Sequence, residues 1–283
     1  MAFKVRKAVD PHVVMAEVVG TKQVTPNMMR VTLGGDELAQ FTPIGYDQWF
    51  RLFLPRAGQD MLRLPTRASA LWYAEYLTTP KTRRPWVRNY TVRAARPDLN
   101  EIDVDFVLHA GPDDEAEDAE HHSGPGADFA QVAEPGMRVG VLDQGVVYNP
   151  RHPHDWTLLV TEESGLPAVA GICESLPEEA RGVAVIEVPT AGDKQEFRVP
   201  SGVELRWVVR SDGEDPHALP GQAALAELRD LDLTGLSGDV YAFAVGESAL
   251  ATGARRHLVG ERGVPKAHVD FVGYWRHGRS APG

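Results

Sequence analysis

Trp156-Thr157-Leu158-Leu159-Val160 is an unbroken apolar run of strand length. After a short loop come an apolar helical stretch over 166–176 and a second apolar run over 183–188. A strand that is apolar on both faces has to be covered on both faces, and alternation with helices is how a parallel sheet achieves this. The same alternation continues, with strands expected over 205–209 and 240–244 and helices over 222–231 and 249–262. Residues 154–283 are therefore expected to form a parallel-sheet α/β domain.

Outward from that run, before Pro153, the pattern is different. Short alternating segments over 13–19, 29–33, 49–54, 89–92, 102–108 and 138–142 are separated by Gly, Pro and Asp. Segments of that length and spacing predict antiparallel strands closed into a small Greek-key barrel over residues 1–153. One inserted helix is expected over 67–77, followed by a basic loop over 78–85. Two domains are also the natural division of 283 residues.

Composition removes several classes of function. A net charge of −11 leaves no cationic excess for nucleic acid or an anionic membrane surface. No apolar run approaches the roughly 20 residues that span a bilayer, and the first residues carry no hydrophobic signal core, so a cytoplasmic protein, by default a monomer, is expected. The single Cys173 forms no internal disulfide and holds no iron–sulfur cluster, so redox chemistry in this chain would need an organic cofactor. Its apolar surroundings point to a buried structural thiol. Between 113 and 120 six acids occupy eight positions, a self-repelling run expected to be a solvated loop. A metal site built on His121 and His122 is the weaker reading of that stretch, and no metal or protein acid–base residue is assigned.

The sharpest local motif is Arg88-Asn89-Tyr90-Thr91-Val92-Arg93. On a strand, Arg88, Tyr90 and Val92 share one face and Asn89, Thr91 and Arg93 the other. The motif resembles the R-x-Y-T/S-x-R flavin strand of ferredoxin-reductase-like barrels and of siderophore-interacting proteins. Asp103-Val104-Asp105-Phe106-Val107-Leu108-His109 resembles the D-F-V-L-H strand of the latter family. Gly124-Pro125-Gly126-Ala127-Asp128-Phe129-Ala130 stands where that family has G-P-A-x-x-W-A, with Phe129 in place of Trp. Thr161-Glu162-Glu163-Ser164-Gly165-Leu166-Pro167-Ala168 resembles G-D-E-T-A-L-P-A, departing at Thr161 and Glu162. Val245-Gly246-Glu247, Arg255-Arg256-His257-Leu258 and Gly273-Tyr274-Trp275-Arg276-His277-Gly278 follow the family's closing pattern. Asp143 and Gln144 depart from its G-P-x-G-x-Y-x-P segment, of which Tyr148 and Pro150 remain.

The resemblance implies a ferredoxin–NADP reductase-like fold, with an FAD-binding barrel before a nicotinamide-binding domain, and a ferric-siderophore reductase using FAD with NADPH or NADH as donor. It implies that Tyr90 stacks on the isoalloxazine, that Thr91 bonds to the flavin and that Arg88 or Arg93 neutralises its diphosphate. A glycine-rich turn opening a helix presents free N–H groups to an anion, which gives Gly124, Ala127 and Phe129 a place beside that diphosphate. His109, Tyr148, Glu163, Ser164, Gly246, Glu247 and Trp275 complete the cofactor set. Arg51, Arg276 and His277 are the candidates for the ferric siderophore, joined by Arg88 and His109 as basic groups near it. Lys194 or Arg210 for a 2′-phosphate, and Glu187 or Asp193 for a ribose hydroxyl, leave the choice of NADPH or NADH open. A general flavin or ferredoxin reductase, or a non-catalytic siderophore-binding protein on the same fold, are the alternatives.

Overall fold

The computed structural model describes residues 5–56, 58–59, 61–69, 71–108, 124–213, 215 and 218–279. They fall into two compact units. One is built from Lys7–Ile44 and Gln48–Val146, the other from Gly45–Asp47, Val147–Pro282 and the first residues of the chain.

The first unit holds seven strands, β1 (Val13–Thr25), β2 (Met28–Gly34), β3 (Trp49–Leu54), β4 (Trp86–Thr91), β5 (Ala94–Arg96), β6 (Glu101–Val107) and β7 (Arg138–Gly145). They are ordered β4-β3-β7-β1-β2-β6-β5, every neighbour antiparallel. Period-two alternation sends Val14, Ala16 and Val18 of β1, Phe50, Leu52 and Leu54 of β3, and Ile102, Val104 and Phe106 of β6 into one core. The sheet curls until its far ends meet, the Tyr90 ring on β4 lying 4.3 Å from the Phe106 ring on β6. Side-chain packing across the curl, rather than hydrogen bonding between the end strands β4 and β5, closes this core. On the outward face of β6, Asp105 takes a two-pronged pair of hydrogen bonds from Arg30 at 2.7 and 2.8 Å.

Two helices accompany the barrel, α1 (Trp72–Thr78) and α2 (Pro125–Val132). The helix expected over 67–77 starts five residues later because Glu75 reaches back. Its carboxylate accepts the Thr66 amide and hydroxyl, both at 2.9 Å, and the Arg67 amide at 3.2 Å, contacts that a helix running from residue 67 would exclude by setting residues 66 and 75 about 13 Å apart along its axis. Trp72 and Tyr76 of α1 pack over Phe53 and Leu142 on the outer face of the sheet. The acidic run 113–120, with His121 and His122, lies outside the described residues.

The second unit holds β8 (Trp156–Thr161), β9 (Arg181–Val188), β10 (Gly202–Val209), β11 (Val240–Glu247) and β12 (Val269–Trp275). Their order is β10-β9-β8-β11-β12, all parallel. The helices α3 (Leu166–Ser175), α4 (Gln222–Asp230) and α5 (Ser248–Gly260) cover the two faces. Leu159, Ala184, Ile186 and Phe243 meet α3 on one side, while Leu158, Val183, Val185 and Ala242 meet α4 and α5 on the other. The unbroken apolar runs thus serve two cores at once. Two strands were not anticipated from the sequence, the three-residue β5 and the edge strand β12.

Candidate functional site

On the barrel, the flavin-type motif occupies β4. Pairing with β3 sets Arg51 opposite Asn89 and Phe50 opposite Tyr90. Tyr90 lies between Phe106 and the start of α2, and a methyl group on Gly126 would come within 1.8 Å of the Tyr90 hydroxyl oxygen. Only glycine allows that approach. Gly124, at φ 108°, turns the chain into α2, Pro125 opens the helix, and no side chain caps its first turn. The free N–H groups of that turn, at the positive end of the helix dipole, suit an anion. Ala127 and Phe129 face inward, Phe129 lying 6.0 Å from Phe106.

Arg88 and Arg51 supply charge on opposite faces of this pair of strands. Among the described residues neither has a carboxylate partner, and burial lowers both guanidinium pKa values from their ordinary range. Arg88 lies 5.6 Å from the Trp86 ring, whose face also takes Arg56 at 3.6 Å. Arg51 sits between two indoles, 5.5 Å from Trp49 and 4.6 Å from Trp72, and its Nη1 donates to the Asn89 side chain at 3.4 Å. The Nε atom of Arg51 and the indole nitrogen of Trp49 are buried without a hydrogen-bond acceptor. Buried donors facing no acceptor are costly unless a ligand answers them. The uncapped turn, the glycine cradle and Arg88, on the same strand face as Tyr90, fit the ring and diphosphate of a flavin dinucleotide, while Arg51 and Trp49 present their donors on the opposite face. Thr91 and Arg93 are buried in the same strand segment, and His109 lies outside the described residues.

The second cluster lies at the carboxyl ends of the parallel strands, where open α/β sheets receive ligands. Glu162, just after β8, is fully buried. Its carboxylate accepts the Ser164 amide at 2.8 Å, the Ser164 hydroxyl, the Glu247 amide at 3.0 Å and the Trp275 indole N–H at 3.0 Å. Glu163 is also buried, its carboxyl pushed up to about 8 by loss of solvation and by the neighbouring Glu162, with Arg210 pulling the other way. Arg210 bridges Glu163 and Glu187, the latter at 2.6 Å. Glu187 further accepts the Gly221 and Ala224 amides at 2.9 and 2.8 Å, and Asp193 closes a capping box with Thr190. Arg210, Glu187 and Asp193 are thus held by internal partners, while Lys194 stays exposed.

Gly246 and Glu247 end β11, and Glu247 caps α5 through the Ala249 and Leu250 amides. The exposed Arg276 and His277 follow β12, with the His277 amide donating to Glu247 at 3.2 Å. Glu163, Ser164, Gly246, Glu247 and Trp275 therefore gather at one sheet edge. Tyr148 is placed apart from them, in the core of the same unit, its hydroxyl 2.8 Å from the Thr157 hydroxyl and its ring stacked on Tyr46. Reading the motifs alone missed Trp49, Arg56 and Trp86. The signal was present in the period-two pairs Trp49-x-Arg51 and Trp86-x-Arg88, each placing an indole beside a guanidinium on one strand face. Among the described residues no helix is long and apolar enough to cross a membrane, and no cluster of three His, Cys, Asp or Glu side chains is placed to hold a metal.

An antiparallel barrel followed by a parallel α/β unit is a ferredoxin-reductase-like fold, and solved ferredoxin reductases match it in fold alone, one from Plasmodium falciparum with a TM-score of 0.60 at 9% identity over 92% of this chain and 96% of that one. Residues 17–148 match the siderophore-interacting FAD-binding domain and residues 154–278 the siderophore-interacting protein model. The chain belongs to the siderophore-interacting protein family, and its cofactor is FAD. The structure of a siderophore utilization protein from T. fusca aligns with a TM-score of 0.76 at 30% identity over 97% of this chain and 96% of that one. A ferric vibriobactin reductase of Vibrio cholerae is 27% identical over 94% of this chain and 90% of its own length. An NADPH-dependent ferric-chelate reductase of Escherichia coli is 25% identical over 91% of each.

Proposed function

We propose that the protein is a ferric-siderophore reductase that moves electrons from NADPH or NADH through FAD to siderophore-bound iron and releases it as the ferrous ion. The observation that carries this reading is Arg51 on the barrel, wedged between two indoles with, among the described residues, no carboxylate partner and no acceptor for its buried Nε–H, on a chain whose net charge is −11. Such a patch attracts an anionic, oxygen-rich ligand against the charge of the whole molecule. The ferric reductases among its relatives support the same substrate class.

Bound FAD supplies the electron chemistry, taking a hydride from a nicotinamide and giving electrons singly to an acceptor. Arg88 and the first turn of α2 would hold its diphosphate, and Tyr90 and Thr91 would hold its ring. Arg93, Gly124, Ala127 and Phe129 shape that cradle from the strand and helix behind it. Ser164, Glu163, Gly246, Glu247 and Trp275 form the edge that would take the nicotinamide nucleotide. Arg51 on the barrel would supply half-buried positive charge to a ferric complex; on the α/β unit, Arg276 and His277 are exposed groups of the kind that bind an oxygen-rich anion. Hard oxygen donors hold ferric iron more firmly than ferrous iron, so reduction favours release without protein acid–base catalysis.

The test is an absorbance spectrum of the purified protein, followed without oxygen by addition of NADPH or NADH and then of a ferric siderophore with a ferrous chelator. Flavin bands that bleach with the nicotinamide and return as ferrous chelate accumulates are the expected result. Bleaching with electrons passing to free flavin or a ferredoxin, but not to the ferric complex, would favour a general reductase. A protein that takes up no FAD would refute the enzyme reading.

A further inference from the structure

We infer that Glu162 is a positioning residue that fixes the indole of Trp275 for recognition of the nicotinamide nucleotide, an inference that rests on the carboxyl edge of the sheet being that nucleotide's site. Two independent features of the structure converge on this contact. The first is the carboxylate itself. It is fully buried, among the described residues no Lys or Arg pairs with it, and it is met by four neutral donors from three strand ends: the Ser164 amide and hydroxyl after β8, the Glu247 amide at the end of β11, and the Trp275 indole N–H at the end of β12. Three of these donors converge on Oε1 and the fourth reaches Oε2, and a buried carboxylate held by four aimed donors is a rigid fixture because losing any one of them is costly.

The second feature is the register of β12. Gly246 pairs with Gly273, but the next pair is Glu247 with Trp275, so one extra residue is inserted at Tyr274. A one-residue slip on a strand exchanges the two faces, and bulges of this kind re-aim a side chain. Without the bulge Tyr274 would stand opposite Glu247; with it Trp275 does, and its indole reaches across β11 to Glu162. Room for that reach comes from Gly246, at φ 120°, where a methyl group would sit 2.6 Å from the Glu162 Oε1 atom. The Ser248 hydroxyl then holds the Trp275 carbonyl at 2.7 Å, so both ends of the residue are tied down. Edge pairing to a single neighbour would not by itself hold an exposed-side indole in one orientation. Glu162 does, and it presents a fixed aromatic plane at the ends of β8, β11 and β12.

The full chain, labelled with 15N at its tryptophans, tests this directly. Trp275→Phe assigns the indole N–H signal. In the native protein that signal is expected at a hydrogen-bonded position and slow to exchange with solvent. In Glu162→Ala it should move to the position of a free indole and exchange quickly, while the other five indole signals stay in place and report an intact fold. Binding of NAD+ and NADP+, titrated without turnover, should weaken roughly tenfold for whichever nucleotide the native protein prefers, the worth of one buried hydrogen bond. Trp275→Phe should weaken binding similarly, and the double variant no further, because the two residues act as one unit. Glu162→Gln keeps one acceptor for the indole and should fall between native and Ala in both readouts. An unmoved indole signal in Glu162→Ala, or additive losses in the double variant, would overturn the inference. Native protein that binds neither nucleotide while its indole signal still responds to Glu162→Ala would instead refute the nicotinamide reading of this edge, and with it the role given to the contact.

Discussion

Replacing Gly126 with alanine is expected to destabilise the barrel, although local preferences favour the change. Gly126 lies inside α2, where alanine is better than glycine by about 1 kcal/mol, and its backbone is not in the left-handed region. The new methyl would meet the Tyr90 hydroxyl at 1.8 Å and the ring carbon bearing it at 3.1 Å. The first distance falls more than an ångström short of van der Waals contact. Tyr90 has little room to retreat because its ring already packs 4.3 Å from that of Phe106. Forcing a methyl into a filled site costs about 1–3 kcal/mol, which set against the helix preference leaves a net loss of up to about 2 kcal/mol, up to about thirtyfold in the folding equilibrium. Tyr90→Phe removes the clashing oxygen and leaves a tight but tolerable contact, so Tyr90→Phe/Gly126→Ala should regain most of the loss. Urea unfolding of the four proteins, with and without FAD, measures this cycle, and FAD titration should show Gly126→Ala weakening the cofactor as well. Gly126→Ala as stable as the native chain, or a loss that Tyr90→Phe does not relieve, would refute the placement of Tyr90 against α2 and the cradle built on it.

Glu163 carries a pH signature. Because the folded protein holds its proton up to about pH 8 whereas the unfolded chain releases it near the ordinary carboxyl value, the folded state binds more protons between those limits, and its contribution to stability falls as pH rises from about 5 through about 8. Glu163→Gln should flatten that slope in urea midpoints measured across the range, and identical slopes would refute it. Arg30→Met should cost about 3–5 kcal/mol in unfolding experiments by leaving the fully buried Asp105 carboxylate without its two-pronged partner, whereas a loss under 1 kcal/mol would show that water reaches the carboxylate. The Cys173 thiol, fully buried and pushed up to about 12 by loss of solvation, should resist a thiol reagent in the native protein and react only at the rate of unfolding.

Much of this molecule was legible in the chain because its signals are local. Strands apolar on both faces, such as 156–160 and 183–188, require cover on both sides, and a parallel sheet with helices is what supplies it. The alternating segments before residue 153 declared a barrel for the complementary reason, with one face buried and one exposed. The Arg88–Arg93 pattern, the Gly124 turn into α2 and the closing Tyr-Trp-Arg segment were likewise visible, since each depends on neighbours within a few residues.

Tertiary structure decided what depended on distant partners. The start of α1 was set by a carboxylate nine residues from the amide it accepts, which a helical pattern does not register. The edge strand β12 has mixed composition because it pairs on one side only, so its period was too weak to declare it. Arg210, an open candidate for a 2′-phosphate in the chain alone, turned out to be held by Glu163 and Glu187, residues 47 and 23 positions away. Glu162 stood out in the sequence only as a departure from a familiar loop, and its bond to Trp275 spans 113 positions. Local sequence determines which backbone each segment adopts and which face it buries. The meeting of buried charges at a sheet edge follows from strand order and register, which the chain encodes only through the packing of the whole unit.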